Sequence, residues 1–198
     1  PLELTKEILD EKNIEVDLIG FEREMNSQRQ RAKAASQTVD LTLKGSIERD
    51  IDLFEKTNFV GYELLNADAT IKGIFINSNS VENASQGENV QVVLNQTPFY
   101  AESGGQISDV GLIISDNTKI LIEKVIKKKD VFLHYGIIQR GSIKKNQLVE
   151  VRVDKSKRLK AESNHTATHL LQSALKHIVD ESVSQRGSMV AFNKLRFD

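Results

Sequence analysis

The sequence predicts an α+β fold with a helical N-terminal stretch, an antiparallel sheet or small barrel, and a third part in which a helix precedes two strands. Three observations carry this. Apolar residues first recur at helical three- and four-residue spacing, then from about Phe59 in short alternating β-branched runs, and from about Ser156 at helical spacing again.

At the N-terminal end, Thr5 can cap a short helix through about Glu11, with Asn13 as its stop. Asp17 can cap a second helix running to about Ser36, whose apolar positions Leu18, Phe21 and Met25 lie on one face. From Asn26 to Lys33 that helix is almost wholly polar, so it is expected to pack only at its start. A connector containing Gly45 follows, and Ile47 to Glu55 adds a helical turn or two.

The expected strands are Ala69 to Ile76, Val90 to Leu94, Gly111 to Ile114, Lys119 to Ile126, Val131 to Ile138 and Leu148 to Val153. Turn clusters such as Asn77-Ser78-Asn79-Ser80 and Asp116-Asn117 separate them, as an antiparallel arrangement requires. Helical character returns near Ser156 and peaks from His165 to Asp180. Two strand-like runs follow, Val183 to Ala191 and Leu195 to Phe197.

Composition narrows the function. The 198 residues are 39% apolar and 28% charged, as in ordinary globular proteins, and no apolar run approaches the ~20 residues of a membrane span. The start resembles no signal peptide, so a cytoplasmic setting and no membrane partner are expected. The chain has no cysteine, which excludes disulfides and thiolate ligands from within it. A formal charge of -1 gives no global attraction to nucleic acid, so DNA is not an expected partner and any RNA contact must be local. Neither end looks like a natural terminus, and the chain reads as an excised fragment.

The sharpest chemical feature is His165-Thr166-Ala167-Thr168-His169, two histidines four apart, near a helix start capped by Ser163 or Asn164. Both project from one face, while Ala167, Leu170, Leu171, Ala174, Leu175 and Ile178 form a core stripe on the other. A zinc peptidase needs a glutamate after the first histidine; Thr166 stands there, so that chemistry fails. A zinc site needs three or four ligands, and neither His134 nor His177 makes a convincing third. Glu162 or Asp198 can contribute, but the simpler inference puts the remaining ligands beyond Asp198.

A second feature is Thr97 to Gln106. Gly104-Gly105 permits positive φ and close approach to a ligand, with Ser103 and Gln106 as polar partners, although a tight surface hairpin fits equally. In Val183 to Val190, alternation places Gln185 and Gly187 on one sheet face. Basic runs at Lys124 to Lys129 and Lys155 to Lys160 are ordinarily solvated. The second, which includes Arg158, is placed to hold phosphates near the histidine helix.

Together these segments resemble the alanyl-tRNA synthetase family. Phe99 to Gln106 is similar to its glycine-rich editing motif, His165 to Leu171 to its zinc-binding helix, and Val183 to Val190 to the strand that follows. Gly20-Phe21-Glu22 through Arg29 to Ser36 is similar to the family's connector between tRNA-recognition and editing regions.

The resemblance implies a helical connector (1–58), a β-barrel (59–153) and the first part of an α/β editing subdomain of the alanyl/threonyl-tRNA synthetase type (154–198), which hydrolyses tRNA(Ala) mischarged with serine or glycine. It implies Zn²⁺ on His165 and His169, with a later Cys-x-x-x-His pair missing from this chain. Thr168 and Gln185 would shape the editing pocket, Ser103, Gly104, Gly105 and Gln106 would form its wall, and Arg158 would contact substrate. ATP and Mg²⁺ would belong only to an aminoacylation site upstream, not present here. The alternative is a non-catalytic tRNA-docking or structural metal-binding module.

Overall fold

The structure is a computed structural model that describes residues 17–35, 47 and 50–198. The expected helix from Thr5 to Glu11 and the Gly45 connector lie outside the described residues. The chain separates into two units, Pro1–Thr42 and Leu43–Asp198.

In the first unit, helix α1 spans Leu18–Ala35. Asp17 caps it as the sequence predicts: its carboxylate accepts from the Gly20 backbone N–H at 2.8 Å. Leu18 and Phe21 are 39% and 42% exposed, and Met25 is half-buried.

The second unit is built on a closed antiparallel barrel. Its strands are β1 (Asn58–Phe59), β2 (Asn66–Ile76), β3 (Asn79–Val81), β4 (Asn83–Ser85), β5 (Asn89–Leu94), β6 (Gln96–Thr97), β7 (Gly111–Ser115), β8 (Thr118–Lys128), β9 (Val131–Arg140), β10 (Ser142–Lys144) and β11 (Leu148–Val153). Six of them form the barrel in the order β11-β7-β8-β9-β5-β2, and pairing of β11 with β2 closes it. Closure leaves the barrel no free edge. The register shifts between Ile71 and Gly73 and between Ile122 and Lys124, and such bulges supply the bend that closure needs.

Alternation along these strands delivers Ile71, Ile74, Val92, Ile113, Ile120, Ile122, Val151 and their neighbours to one buried core, which Phe99 joins from the loop after β6. Each such side chain contributes about 1.5–3 kcal/mol on burial. The five short strands β1, β3, β4, β6 and β10 escape the sequence pattern because two or three residues show no period. The segment expected to add helical turns does so at Ile47 and Asp50 and in a 3-10 turn, Ile51–Leu53. It covers the outside of the barrel, with Phe54 edge-on to Phe75 at 6.0 Å, and so belongs with the barrel rather than with the helical connector.

Helix α2 spans Lys155–Ile178, and strands β12 (Ser188–Val190) and β13 (Leu195–Phe197) form a hairpin after it. Two expectations are corrected here. The cap is Asp154, which accepts from Lys157 N, and not Ser163 or Asn164. Ser163 lies inside the helix and donates to Leu159 O at 2.8 Å, a back-bond that the sequence does not distinguish from a cap. The run Val183 to Ala191 is a strand only at Ser188–Val190.

Candidate functional site at the barrel and helix junction

The loop from Pro98 to Val110 and the first half of α2 meet at one corner of the barrel. Arg158 holds them together. Its guanidinium donates to both oxygens of Asp109 (2.9 and 3.0 Å from Nε), to Gly61 O at 2.8 Å and to Pro98 O at 2.8 Å. Asp109 also accepts from the Tyr100 backbone N–H at 2.7 Å. Arg158 and Asp109 are both buried. The expectation that Arg158 holds phosphate therefore meets a physical obstacle: its donors are already used within the protein, in a fork geometry matched to the carboxylate.

The glycine-rich stretch forms a tight turn. Ser103 and Gln106 exchange backbone hydrogen bonds at 2.9 and 3.2 Å around Gly104 and Gly105, whose φ values of 58° and 82° favour glycine. This turn docks on β12: Val190 N donates to Gly105 O at 2.8 Å and Ile107 N to Val190 O at 3.0 Å. A Cβ on Gly105 would lie 2.5 Å from Ser188 O, so close approach of two backbones requires glycine there. Of the two readings, the tight hairpin is present, and the close backbone approach its glycines allow is to β12.

Helix α2 brings His165 beside the turn. His165 Nδ1 lies 2.6 Å from Gln106 Oε1, and the His165 and His169 rings are 4.9 Å apart. Asn164, one residue earlier, donates from Nδ2 to Ala191 O at 2.7 Å and fixes the helix to the hairpin. Thr168 is buried, and its hydroxyl donates to Asn164 O at 2.8 Å, leaving an oxygen lone pair free to accept. A groove of about 380 Å³ opens here, lined by Tyr62, Tyr100, Gln106, Arg158, Glu162, His165 and Thr166. Gln185 lies exposed in the coil before β12 and is not among the groove's lining residues. The alternation that predicts it on a sheet face fails because the strand starts only at Ser188.

Two imidazoles on successive turns of a helix are the nitrogen donors that zinc takes, and they fit as two of its ligands. No group of three or more His, Asp or Glu side chains able to hold a metal occurs among the described residues. Glu162 is directed to Arg158 at 3.9 Å and Asp198 to Arg196 at 2.8 Å. His177 is exposed in the last turn of α2.

His134 has a different task. Fully buried in the barrel wall, it lies 3.0 Å from Val92 O through Nδ1, and 2.8 Å from Thr97 Oγ1 through Nε2. A carbonyl only accepts, so Nδ1 carries the proton and Nε2 accepts from the Thr97 hydroxyl. Thr97 Oγ1 in turn accepts from Phe99 N at 3.2 Å and so fixes the start of the glycine-bearing loop. Burial pushes the imidazole down from its ordinary 6.5 to about 4, opposed in part by the bond to Val92.

A barrel joined to a histidine helix through a glycine turn places the chain in a class that comparison identifies. It belongs to the class II (A) tRNA synthetases, whose family pattern its residues 1–157 match. Along all 198 residues it is 67% identical to the alanine-tRNA ligase of Prochlorococcus marinus (strain MIT 9515), 59% to that of P. marinus subsp. pastoris (strain CCMP1986 / NIES-2087 / MED4) and 50% to that of Microcystis aeruginosa (strain NIES-843 / IAM M-2473). It spans 22% of the length of the first two and 23% of the third. The histidine pair lies past the family match but within the stretch shared with these relatives.

Proposed function

We propose that this chain is part of an enzyme that attaches alanine to tRNA(Ala), and that it supplies the barrel and half of a zinc site for hydrolysing tRNA(Ala) mischarged with serine or glycine. The observation that carries the reading is the His165 and His169 pair, in which His165 meets Gln106 of the glycine turn and lines the groove. The need for such a site is thermodynamic. A pocket for alanine admits glycine and rejects serine by one hydroxyl only, and differences that small give ~10–200-fold discrimination.

The groove has room for the aminoacyl end of a tRNA. Tyr62 and Tyr100 also line a second groove of about 660 Å³, with Lys56, Lys127, Lys129, Phe59 and Phe132 among its other residues. Tyr62 is 88% exposed there. An exposed aromatic ring beside lysines suits a single-stranded end, whose bases stack and whose phosphates are anionic. In the reaction water adds to the ester carbonyl, the ribose oxygen leaves with a proton, and free serine or glycine is released. Zinc, when bound, would supply a Lewis acid for the ester or its attacking water. Gln106 and the Gly-Gly turn would form the wall, while Thr168, buried and bonded to Asn164 O, would shape the pocket from behind the lining residues.

The test is release of serine from seryl-tRNA(Ala) by a version of the chain extended past Asp198, beside its His165→Ala/His169→Ala variant and the 198-residue chain. Fast hydrolysis that disappears in the folded double variant is the expected outcome. An extended, zinc-loaded protein that binds tRNA but releases no serine above the uncatalysed rate would replace this reading with that of a tRNA-docking or structural metal module.

A further inference from the structure

We propose that Gln106 is a positioning residue that fixes His165 as its Nδ1–H tautomer and thereby leaves Nε2 as the open lone pair, because the Gln106 side-chain carbonyl lies 2.6 Å from His165 Nδ1. The inference rests on the zinc reading only for the use made of that lone pair. The tautomer itself follows from the Gln106 carbonyl, rather than its NH₂, facing Nδ1.

Gln106 is well suited to such a task. It is 7% exposed. Its backbone is held on one side by the Ser103 exchange and on the other by its bridge to Val190, so the root of the side chain has little freedom. A carbonyl oxygen carries no proton, so the nitrogen facing it must donate. Only one proton is present on a neutral imidazole, and placing it on Nδ1 bares Nε2. The opposite amide orientation would direct the Gln106 NH₂ at a bare Nδ1 and place the proton on Nε2, where no metal could bind. The position of one amide therefore decides which way the ring can ligate.

His134 shows the same logic on a backbone carbonyl, with Nδ1–H donating to Val92 O and Nε2 accepting. At His165 the acceptor is a side chain carried by the glycine turn, so the turn and the helix are coupled through a single hydrogen bond. The Gly-Gly turn then has a role of its own: its docking on β12 sets where the Gln106 carbonyl stands.

The experiment is long-range nitrogen-proton NMR of the imidazoles in the metal-free 198-residue chain at about pH 8, where ordinary histidines are neutral. It compares the native chain with Gln106→Leu, which has no acceptor, and Gln106→Glu, which keeps one. His134 is the internal control, since its tautomer is retained only if the barrel is folded. The expected result is the Nδ1–H form of His165 in the native chain and in Gln106→Glu, with loss of that preference in Gln106→Leu while His134 is unchanged. An Nε2–H form in the native chain overturns the proposal, and so does a Gln106→Leu spectrum in which His165 keeps the Nδ1–H form. Zinc added to the same variants in the version of the chain extended past Asp198 reports on the metal reading separately. Native His165 and His169 resonances that ignore zinc count against that reading alone, whereas binding weakened ~10–100-fold in Gln106→Leu supports both.

Discussion

His134 shows how far one residue's surroundings can depart from what its type suggests. In a strand-like segment it makes no convincing third metal ligand, and burial gives it another task, that of a neutral strut between Val92 and Thr97. Its folded value near 4 lies below the unfolded 6.5, so between these the unfolded chain binds the extra proton. The neutral strut's contribution is therefore complete above pH 6.5 and is lost as pH falls toward 4, by up to about 3 kcal/mol. Denaturant unfolding of the native chain and of His134→Asn across this range checks it. The variant's stability is expected to vary less steeply with pH, and equal slopes would mean that the imidazole titrates normally in the fold.

At the scale of elements, the junction between barrel and α2 depends on Arg158 and Asp109, 49 residues apart in sequence. Because both are buried, removal of either leaves the other charge without its partner. Arg158→Met is expected to destabilise the chain by about 3–5 kcal/mol, and Asp109→Asn to have the same sign. Guanidinium unfolding measures both, and a loss below about 1 kcal/mol for Arg158→Met would show the pair to be solvated. Of the expected strands, Leu148 to Val153 and Leu195 to Phe197 have the observed bounds, the run Val183 to Ala191 shrinks to Ser188–Val190, and the others are longer by a few residues. β-Branched alternation locates a strand well, but its ends are set by which neighbour offers a hydrogen bond. The helix start was misplaced for a similar reason. Ser163 and Asn164 are good caps in isolation, and only the docking of Lys155 to Glu162 on the barrel makes Asp154 the cap.

At the scale of the whole molecule, the stripe expected to be core on α2 is open. Leu170 is 66% exposed and Ile178 79% exposed, whereas the side of the helix that meets the barrel and the hairpin buries Arg158, Ala161 and Thr168. Apolar periodicity reports that a face is to be covered, not by what, and the chain spans 22% of the length of its first relatives. In the 198-residue chain, Leu170→Lys with Ile178→Lys is therefore expected to leave stability within about 0.5 kcal/mol of native, as exposed positions do. A thermal unfolding midpoint lowered by several degrees would mean that the stripe is buried in solution. Among the described residues no helix is long and apolar enough to cross a membrane.

The sequence by itself determined the succession of helix, antiparallel strands and helix, the Asp17 cap, the glycine turn and the presence of a histidine pair, because each is a local property of spacing and side-chain chemistry. Its motifs also pointed to the family that comparison then showed. Tertiary structure alone decided that the barrel closes through β11 and β2, that Arg158 is a buried clamp, that Gln106 meets His165, and that Gln185 lies outside the groove. These are meetings between residues distant in the chain, as with Gln106 and His165, 59 apart. They depend on register and docking, which no local pattern encodes.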